Sequence, residues 1–352
     1  MSDISKIDKN FEIKSDIQKE GIVWRDAKDE PFKIFGLLTN EEGYVRMPSA
    51  EAAEVSEFVA NLNRHTSGGR VTFETDSQYL AISAKTVACP ASHMTYLCST
   101  GFDVYMDEGD GLEFYKPLIP PMGKNDYECI IEFESVKTRK FMIHFPLYSE
   151  VKSLYIGLDG KAELNSYNPY KPIKPIVFYG SSVTQGGCAS RPGNNYTSIV
   201  SYKTGIDFTG LGFSGSAKGE KRLAEYIAGL EMSAFVYSYD INDIYDNEGK
   251  RERHYQFYDI VRKAHPDIPI IVTSAGYSWY DKELIAAGRP IIMETLEKAR
   301  ANGDNVYYVD GQTVYGEEYK SCATVDGCHP NDFGFVMMAD AILKVFKECG
   351  LY

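Results

Sequence analysis

The chain changes its hydrophobic pattern part-way along. Up to about residue 165, apolar and polar positions alternate. In GRVTFETDS, Val71 and Phe73 alternate with Thr72 and Glu74, the period of a strand with one buried face. CIIEFES, KFMIHFPL and SLYIGLD read as further strands, and turn signals such as DEGDG and PPMGKND separate them. Helical periodicity is confined to a short stretch around AEAAEVSEFVANL. Short strands with frequent turns predict a β-sandwich or jelly roll over residues 1–165.

The segment NSYNPYKPIKPI follows, with Pro169, Pro172 and Pro175. It reads as a linker over residues 166–175. Over residues 176–352 the pattern then alternates between two periods. Apolar strands at IVFY, IDFTG, AFVYSY, PIIVTS and NVYYVD are interleaved with helical stretches. Those stretches include NNYTSIVSYKTG, EKRLAEYIAGLE, RHYQFYDIVRKAH and FVMMADAILKVFKE. A strand–helix series of this kind predicts a parallel sheet with helices on both faces. Sites in such sheets form at the C-terminal ends of the strands.

Charge and composition narrow the function. The net charge of −13 argues against nucleic acid or an anionic membrane as partner, because phosphate neutralisation needs Lys and Arg. A small, neutral substrate fits better. No apolar run approaches the roughly 20 residues of a membrane span, and MSDISKIDKNFEIKSD lacks the apolar core of a secretory signal. A cytoplasmic location is expected. The 7 cysteines are scattered with no CxxC pair, so neither a disulfide framework nor a zinc site is expected.

Four stretches stand at predicted strand ends: GSSVTQGG, GFSGSAKG, the DIND of Asp240 to Asp243, and the DGCHPND of Asp326 to Asp332. Together they offer a serine, a glycine turn, an asparagine and an Asp-x-x-His pair. A serine hydroxyl is a weak nucleophile until a base takes its proton, and histidine is the natural base near neutrality. Asp326, three residues before His329, can fix the imidazole tautomer from the same loop. The attack creates an oxyanion, which needs donors aimed at it. The backbone N–H groups of Ser182 and Gly215 and the side-chain amide of Asn242 are the candidates.

These residues resemble the blocks of the SGNH, or GDSL-type, hydrolases. GSSVTQG matches the first block, with Ser182 at the nucleophile position and Ser181 where many members carry Asp. Gly215 matches the glycine of the second block and Asn242 the asparagine of the third, although Asp240 stands where the usual pattern has glycine. Asp326 and His329 match the Asp-x-x-His of the last. GFDVY, from Gly101 to Tyr105, is similar to the Gly-x-Asp-Leu-Tyr signature of a β-rich domain found ahead of SGNH domains in bacterial carbohydrate esterases, with Val104 in place of Leu. The resemblance implies a flavodoxin-like three-layer α/β/α domain, no cofactor and no metal. It implies ester hydrolysis through an acyl-enzyme, with Ser182, His329 and Asp326 as catalytic residues. The accessory domain implies a carbohydrate ester, an O-acetyl group on an oligosaccharide. A short-chain ester without a sugar is the alternative substrate.

Other readings compete for the same residues. Ser182 could simply cap a helix. Gly210, Gly212 and Gly215 satisfy a dinucleotide-binding GxGxxG, but Asp240 comes 25 residues after Gly215, beyond the usual ~20. That rival leaves GSSVTQG and DGCHP without a role. A carbohydrate-binding protein with a dead catalytic half is a third reading, although every hydrolytic residue type is present. Arg191 and Tyr196 are candidates for the pocket wall, for the surface or for a helix start. Trp279 and Tyr280 are candidates for sugar stacking or for core packing, and Asp103 and Tyr105 for bracing the two domains.

Overall fold

The computed structural model describes residues 17–89, 91–121, 123–278 and 281–352; Trp279 and Tyr280 lie outside them. The alternating segments form two antiparallel sheets. One runs in the order Ile22–Asp26, Ser149–Asp159, Tyr79–Ala88, Asp126–Glu132. The other runs Leu164–Asn165, Arg70–Thr75, Arg139–His144, Phe102–Asp107, Glu113–Leu118, with Lys33–Phe35 pairing beside Arg70–Thr75. Inward residues of both sheets share one core: Leu80, Ile82 and Ile156 from the first meet Val71, Phe73, Val104 and Phe141 from the second. This is a sandwich built by period-2 alternation.

The outer face of the second sheet is also buried, although it carries polar residues such as Arg70, Thr72 and His144. The reason is that it packs on the rest of the chain. Arg70 forms an ion pair with Asp207, donates to the Tyr170 hydroxyl at 2.9 Å and stacks over the Phe208 ring at 4.0 Å. The helical stretch of the N-terminal half is two helices, Ser49–Val55 and Glu57–Asn63. Extended Ser56 between them caps the second by accepting the Val59 N–H at 3.1 Å. Met47, Ala52 and Val59 from this region join the core of the parallel-sheet layer rather than that of the sandwich.

The second half is a five-stranded parallel sheet in the order Phe208–Gly212, Ile176–Gly180, Ala234–Ser238, Ile270–Thr273, Val306–Val309. Counted along the chain this is 2-1-3-4-5, the flavodoxin-like order. On one face Val177, Tyr179, Phe235 and Val272 pack on the helices Lys221–Ala228, Asn247–Ala264 and Lys282–Ala301. On the other, Ile176, Phe178, Val236 and Ile271 pack on Tyr196–Thr204 and Asp332–Glu348. Strands covered on both sides read as continuous apolar runs. The exception, IDFTG, is an edge strand whose start meets Arg70. The strand order reverses at Ile176–Gly180, so the crevice beyond its C-terminal end is where a site is expected.

Candidate active site

The GSS turn follows from close packing. A Cβ on Gly180 would come within 2.2 Å of the Ser238 carbonyl oxygen and of Thr184 Oγ1, so the strand end must be glycine. The next residue, Ser181, caps the short helix Ser182–Gln185: its hydroxyl accepts the Val183 N–H at 3.2 Å. The capping role therefore belongs to Ser181, and the Ser182 side chain is left for another partner. Its Oγ lies 2.8 Å from His329 Nε2, and His329 Nδ1 lies 2.7 Å from Asp326 Oδ2. With Asp326 ionised, Nδ1 carries the imidazole proton and Nε2 accepts from the serine hydroxyl.

The Asp-x-x-His loop is held by its own turn chemistry. Asp326 Oδ1 accepts the backbone N–H of His329 at 2.7 Å and of Cys328 at 3.0 Å. Val325 N–H donates to the His329 carbonyl at 2.9 Å, and Thr324 pairs with Pro330 in an isolated bridge. Partial burial works to raise the Asp326 pKa. The hydrogen bonds from the His329 backbone and ring and from Cys328 outweigh it and hold the carboxyl below its ordinary value. Just past the loop, Asn331 caps the last helix by accepting the Gly334 N–H at 3.1 Å. Asp332 accepts from Ser190 N–H at 2.7 Å and from the Asn194 amide at 2.7 Å. His329 therefore sits just ahead of the start of a long helix.

Three groups were expected to stabilise an oxyanion. Ser182 N–H is at the first helical position, where no intrahelical acceptor exists. Gly215 has φ +65° in the turn of residues 213–217, and its N–H donates to no backbone acceptor among the described residues. Gln185 accepts the N–H of the preceding residue, Ser214, at 3.1 Å. The glycine turn is thus tied to the helix that begins at Ser182. Asn242 does something different. Its amide nitrogen donates to the carbonyls of Phe213 at 3.2 Å and Ala217 at 3.0 Å, so it clamps the turn that presents Gly215. To reach an oxyanion it must release one of the two. The neighbouring Asp240, in place of the usual glycine, is buried and accepts the Ala275 N–H at 2.9 Å.

The N-terminal half reaches this centre directly. The Tyr148 hydroxyl donates to the Ser182 carbonyl at 3.2 Å. Ser67 Oγ donates to the Gln185 carbonyl at 2.7 Å, and the Gln185 amide donates to Leu147 O and to His65 Nδ1, each at 3.2 Å. His65 can accept because burial, with Arg46 and Arg64 nearby, pulls its pKa down to about 3 and keeps the ring neutral. Nothing in the alternating pattern marks Tyr148 or His65 as belonging to a site; Gln185 was at least inside the GSSVTQG block. Arg191 does not line an open pocket. It donates to Asp103 Oδ2 and to the Tyr105 hydroxyl, both at 2.8 Å, and Gly193 N–H donates to the same Asp103 oxygen at 2.9 Å. The GFDVY segment thus braces the loop that follows the Ser182 helix. Tyr196 is buried core, its hydroxyl 2.9 Å from Thr184 Oγ1. Cys328 lines an apolar cavity with Ser181, Val183, Ile241, Ala275 and Tyr315.

Residues 173–347 match the GDSL-like Lipase/Acylhydrolase family. Residues 22–164 match the GxDLY family, described as the N-terminus of Esterase_SGNH_hydro-type proteins. The chain is similar to a crystal structure from Bacteroides ovatus ATCC 8483, provisionally described as a GDSL-like lipase. The two share 28% identity at a TM-score of 0.84, over 93% of this chain and 97% of the other. It shares its fold with the salicylyl-acyltransferase SsfX3 of a tetracycline biosynthetic pathway, at 20% identity and TM-score 0.81, over 95% and 99% of the two chains. It also shares it with Est2A, an acetyl xylan esterase from the rumen bacterium Butyrivibrio proteoclasticus. There the identity is 13% and the TM-score 0.60, over 93% and 98%. A comparison with curated proteins finds no match.

Proposed function

Because this chain belongs to the SGNH/GDSL hydrolases and carries a GxDLY-type N-terminal domain, we propose that it is a serine esterase that removes O-acetyl groups from oligosaccharides through an acyl-enzyme. One observation carries the catalytic part: the continuous hydrogen-bonded line from Ser182 Oγ through His329 to Asp326, at 2.8 and 2.7 Å. Ser182 attacks the ester carbonyl while His329 Nε2 takes its proton. Asp326 holds the Nδ1 proton and stabilises the imidazolium. The oxyanion falls to the N–H groups of Ser182 and Gly215, with Asn242 keeping the glycine turn in place or joining as a third donor. His329 then protonates the leaving alcohol, and water repeats the path in reverse.

The sugar part of the reading is supported by the company of the GxDLY domain and by the fold shared with carbohydrate esterases such as Est2A. A short-chain ester without a sugar is the second substrate class. Acetylated manno-, xylo- and chito-oligosaccharides, followed by NMR for acetate and for the hydroxyl freed, test the proposal. Regioselective acetate release is expected. Hydrolysis of p-nitrophenyl acetate alone would remove the carbohydrate claim. Adding a competing alcohol to the assay reads whether water or a second hydroxyl takes the acyl group, the point raised by the fold shared with an acyltransferase.

A further inference from the structure

The Asp-x-x-His pair has two more neighbours with donor atoms. His93, Cys188, Asp326 and His329 each offer one ligand atom, and these atoms all lie within 4.8 Å of one another. They come from three places in the chain. His93 belongs to the loop before the helix Tyr96–Thr100 of the N-terminal half, and Cys188 to the turn just after the nucleophile's helix. Asp326 and His329 belong to the base loop. The His93 ring faces that of His329, with centroids 5.4 Å apart and planes at 41°. Cys188 is buried and holds a left-handed backbone at φ +74°, alone in this among the described non-glycine residues. Glycine is the residue that adopts this conformation without cost. A cysteine kept there has its thiol placed beside the carboxylate and imidazole by the backbone itself.

Two imidazoles, a thiolate and a carboxylate make the donor set of a tetrahedral zinc-class ion. A thiolate disfavours magnesium and calcium. Ligand atoms at about 2.0–2.3 Å from such an ion stand about 3.3–3.8 Å from one another. Contraction by about 1 Å would close the present arrangement, and exposed His93 can supply much of it by a change of rotamer. Asp326 is already oriented by the N–H groups of Cys328 and His329, the kind of outer support that metal-binding carboxylates use.

We propose that His93, Cys188, Asp326 and His329 form a binding site for a zinc-class divalent cation, and that its occupancy shuts off the esterase. Four protein ligands fill a tetrahedral ion and leave no position for water or substrate, so the site is inhibitory rather than hydrolytic. Both nitrogens of His329 are committed in the metal-free enzyme. An ion on Nε2 takes the lone pair that would accept the Ser182 proton. An ion on Nδ1 sits between the ring and its Asp326 ligand and moves the ring proton to Nε2, which then cannot accept from Ser182. Either stops proton transfer. On binding, the Cys188 thiol releases its proton to solvent, and no electron is transferred. The inhibition rests on the proposed function, whereas the binding does not.

The test therefore has two arms on the full-length protein. In the first, cobalt(II) is titrated into the chelator-treated protein. A near-ultraviolet thiolate-to-cobalt band with tetrahedral visible bands is expected, and the thiolate band should vanish in Cys188→Ser. In the second, ester hydrolysis is followed at buffered free zinc. Zinc should inhibit the native enzyme and a chelator should restore it. Cys188→Ser and His93→Gln should each need at least about tenfold more free zinc for the same fractional inhibition. Absence of the thiolate band in the native protein overturns the proposal. So does equal zinc sensitivity of the native enzyme and both variants. A protein that binds cobalt through Cys188 but hydrolyses no ester upholds the site and counts instead against the catalytic reading.

Discussion

The two partners of the central hydrogen bond are held in opposite ways. Ser182 stands at the end of a strand buried on both faces, and long-range contacts fix it: Gly180 against Ser238, Tyr148 on its carbonyl, Gln185 between His65, Leu147 and Ser214. The His329 side is a turn that makes its own bonds. Asp326 accepts from Cys328 and His329, Val325 donates to the His329 carbonyl and Thr324 pairs with Pro330, all within a few residues, and Asp326 and His329 remain partly open to solvent. The position of Ser182 is thus a property of the whole fold, and that of His329 is largely local. Damage to the long-range contacts that hold Ser182 should appear as lost folding. Damage on the His329 side should appear as lost rate in a folded protein.

Substitutions can break that contrast, beginning with the largest effect. Ser182→Ala removes the proposed nucleophile, the Oγ alone, so kcat on an ester substrate should fall by about 10⁶ with an unchanged melting temperature. Asp326→Asn keeps an oxygen that can accept the loop N–H groups but upsets the imidazole tautomer. A loss in kcat of about 10⁴ is expected, again with native circular dichroism and melting. Gly180→Ala should invert the pattern. The added methyl meets backbone oxygen at 2.2 Å, so stability by denaturant titration should drop by at least about 2 kcal/mol, and activity should fall with the folded fraction. Conserved stability in that variant would show the strand end to be more pliant than the contacts imply.

Acid should loosen the nucleophile's side before the loop loses its turn. Burial holds His65 and His254 down at about pKa 3 and pushes His144 well below its ordinary value. Between about pH 6.5 and pH 3 the unfolded chain takes up protons that the folded chain refuses. The stability these neutral rings represent is therefore full above that window and is lost as pH falls through it. Denaturation midpoints at pH 7 and pH 4 check this, and a His65→Gln variant should flatten the slope. The smallest effect belongs to Tyr148→Phe, which removes one hydroxyl from the Ser182 carbonyl. About 1 kcal/mol of stability should be lost, with kcat changed only a few-fold. A large fall in kcat with unchanged melting would instead place Tyr148 in control of the serine's rotamer.

Much of this was legible in the order of residues. The change from alternating to continuous apolar strands marks where the sandwich gives way to the parallel sheet, because burial on one face or two is written directly into the period. Helix Lys282–Ala301, which follows the fourth strand and contains Pro290, went unread beside its more regular neighbours. The expected stretch around AEAAEVSEFVANL broke at Ser56, where the side chain bonds to the backbone of the next helix instead of continuing the first. Arg191 shows the limit most clearly. It follows the nucleophile and so suggested the pocket, but its partners Asp103 and Tyr105 lie more than 80 positions earlier.

By itself the sequence determined which groups are present and in what order along the strands: a serine after a glycine, an asparagine, and a carboxylate three residues before an imidazole. It determined these because turns, caps and face patterns are short-range consequences of residue type. Only the tertiary structure decided which of them meet. Ser182 and His329 are 147 positions apart, and the 2-1-3-4-5 strand order together with the seating of the sandwich is what closes that distance. The same packing brings His93 and Tyr148 to the site and turns Asn242 toward Phe213 and Ala217. No local pattern encodes such contacts, because they follow from how two already formed layers fit against each other.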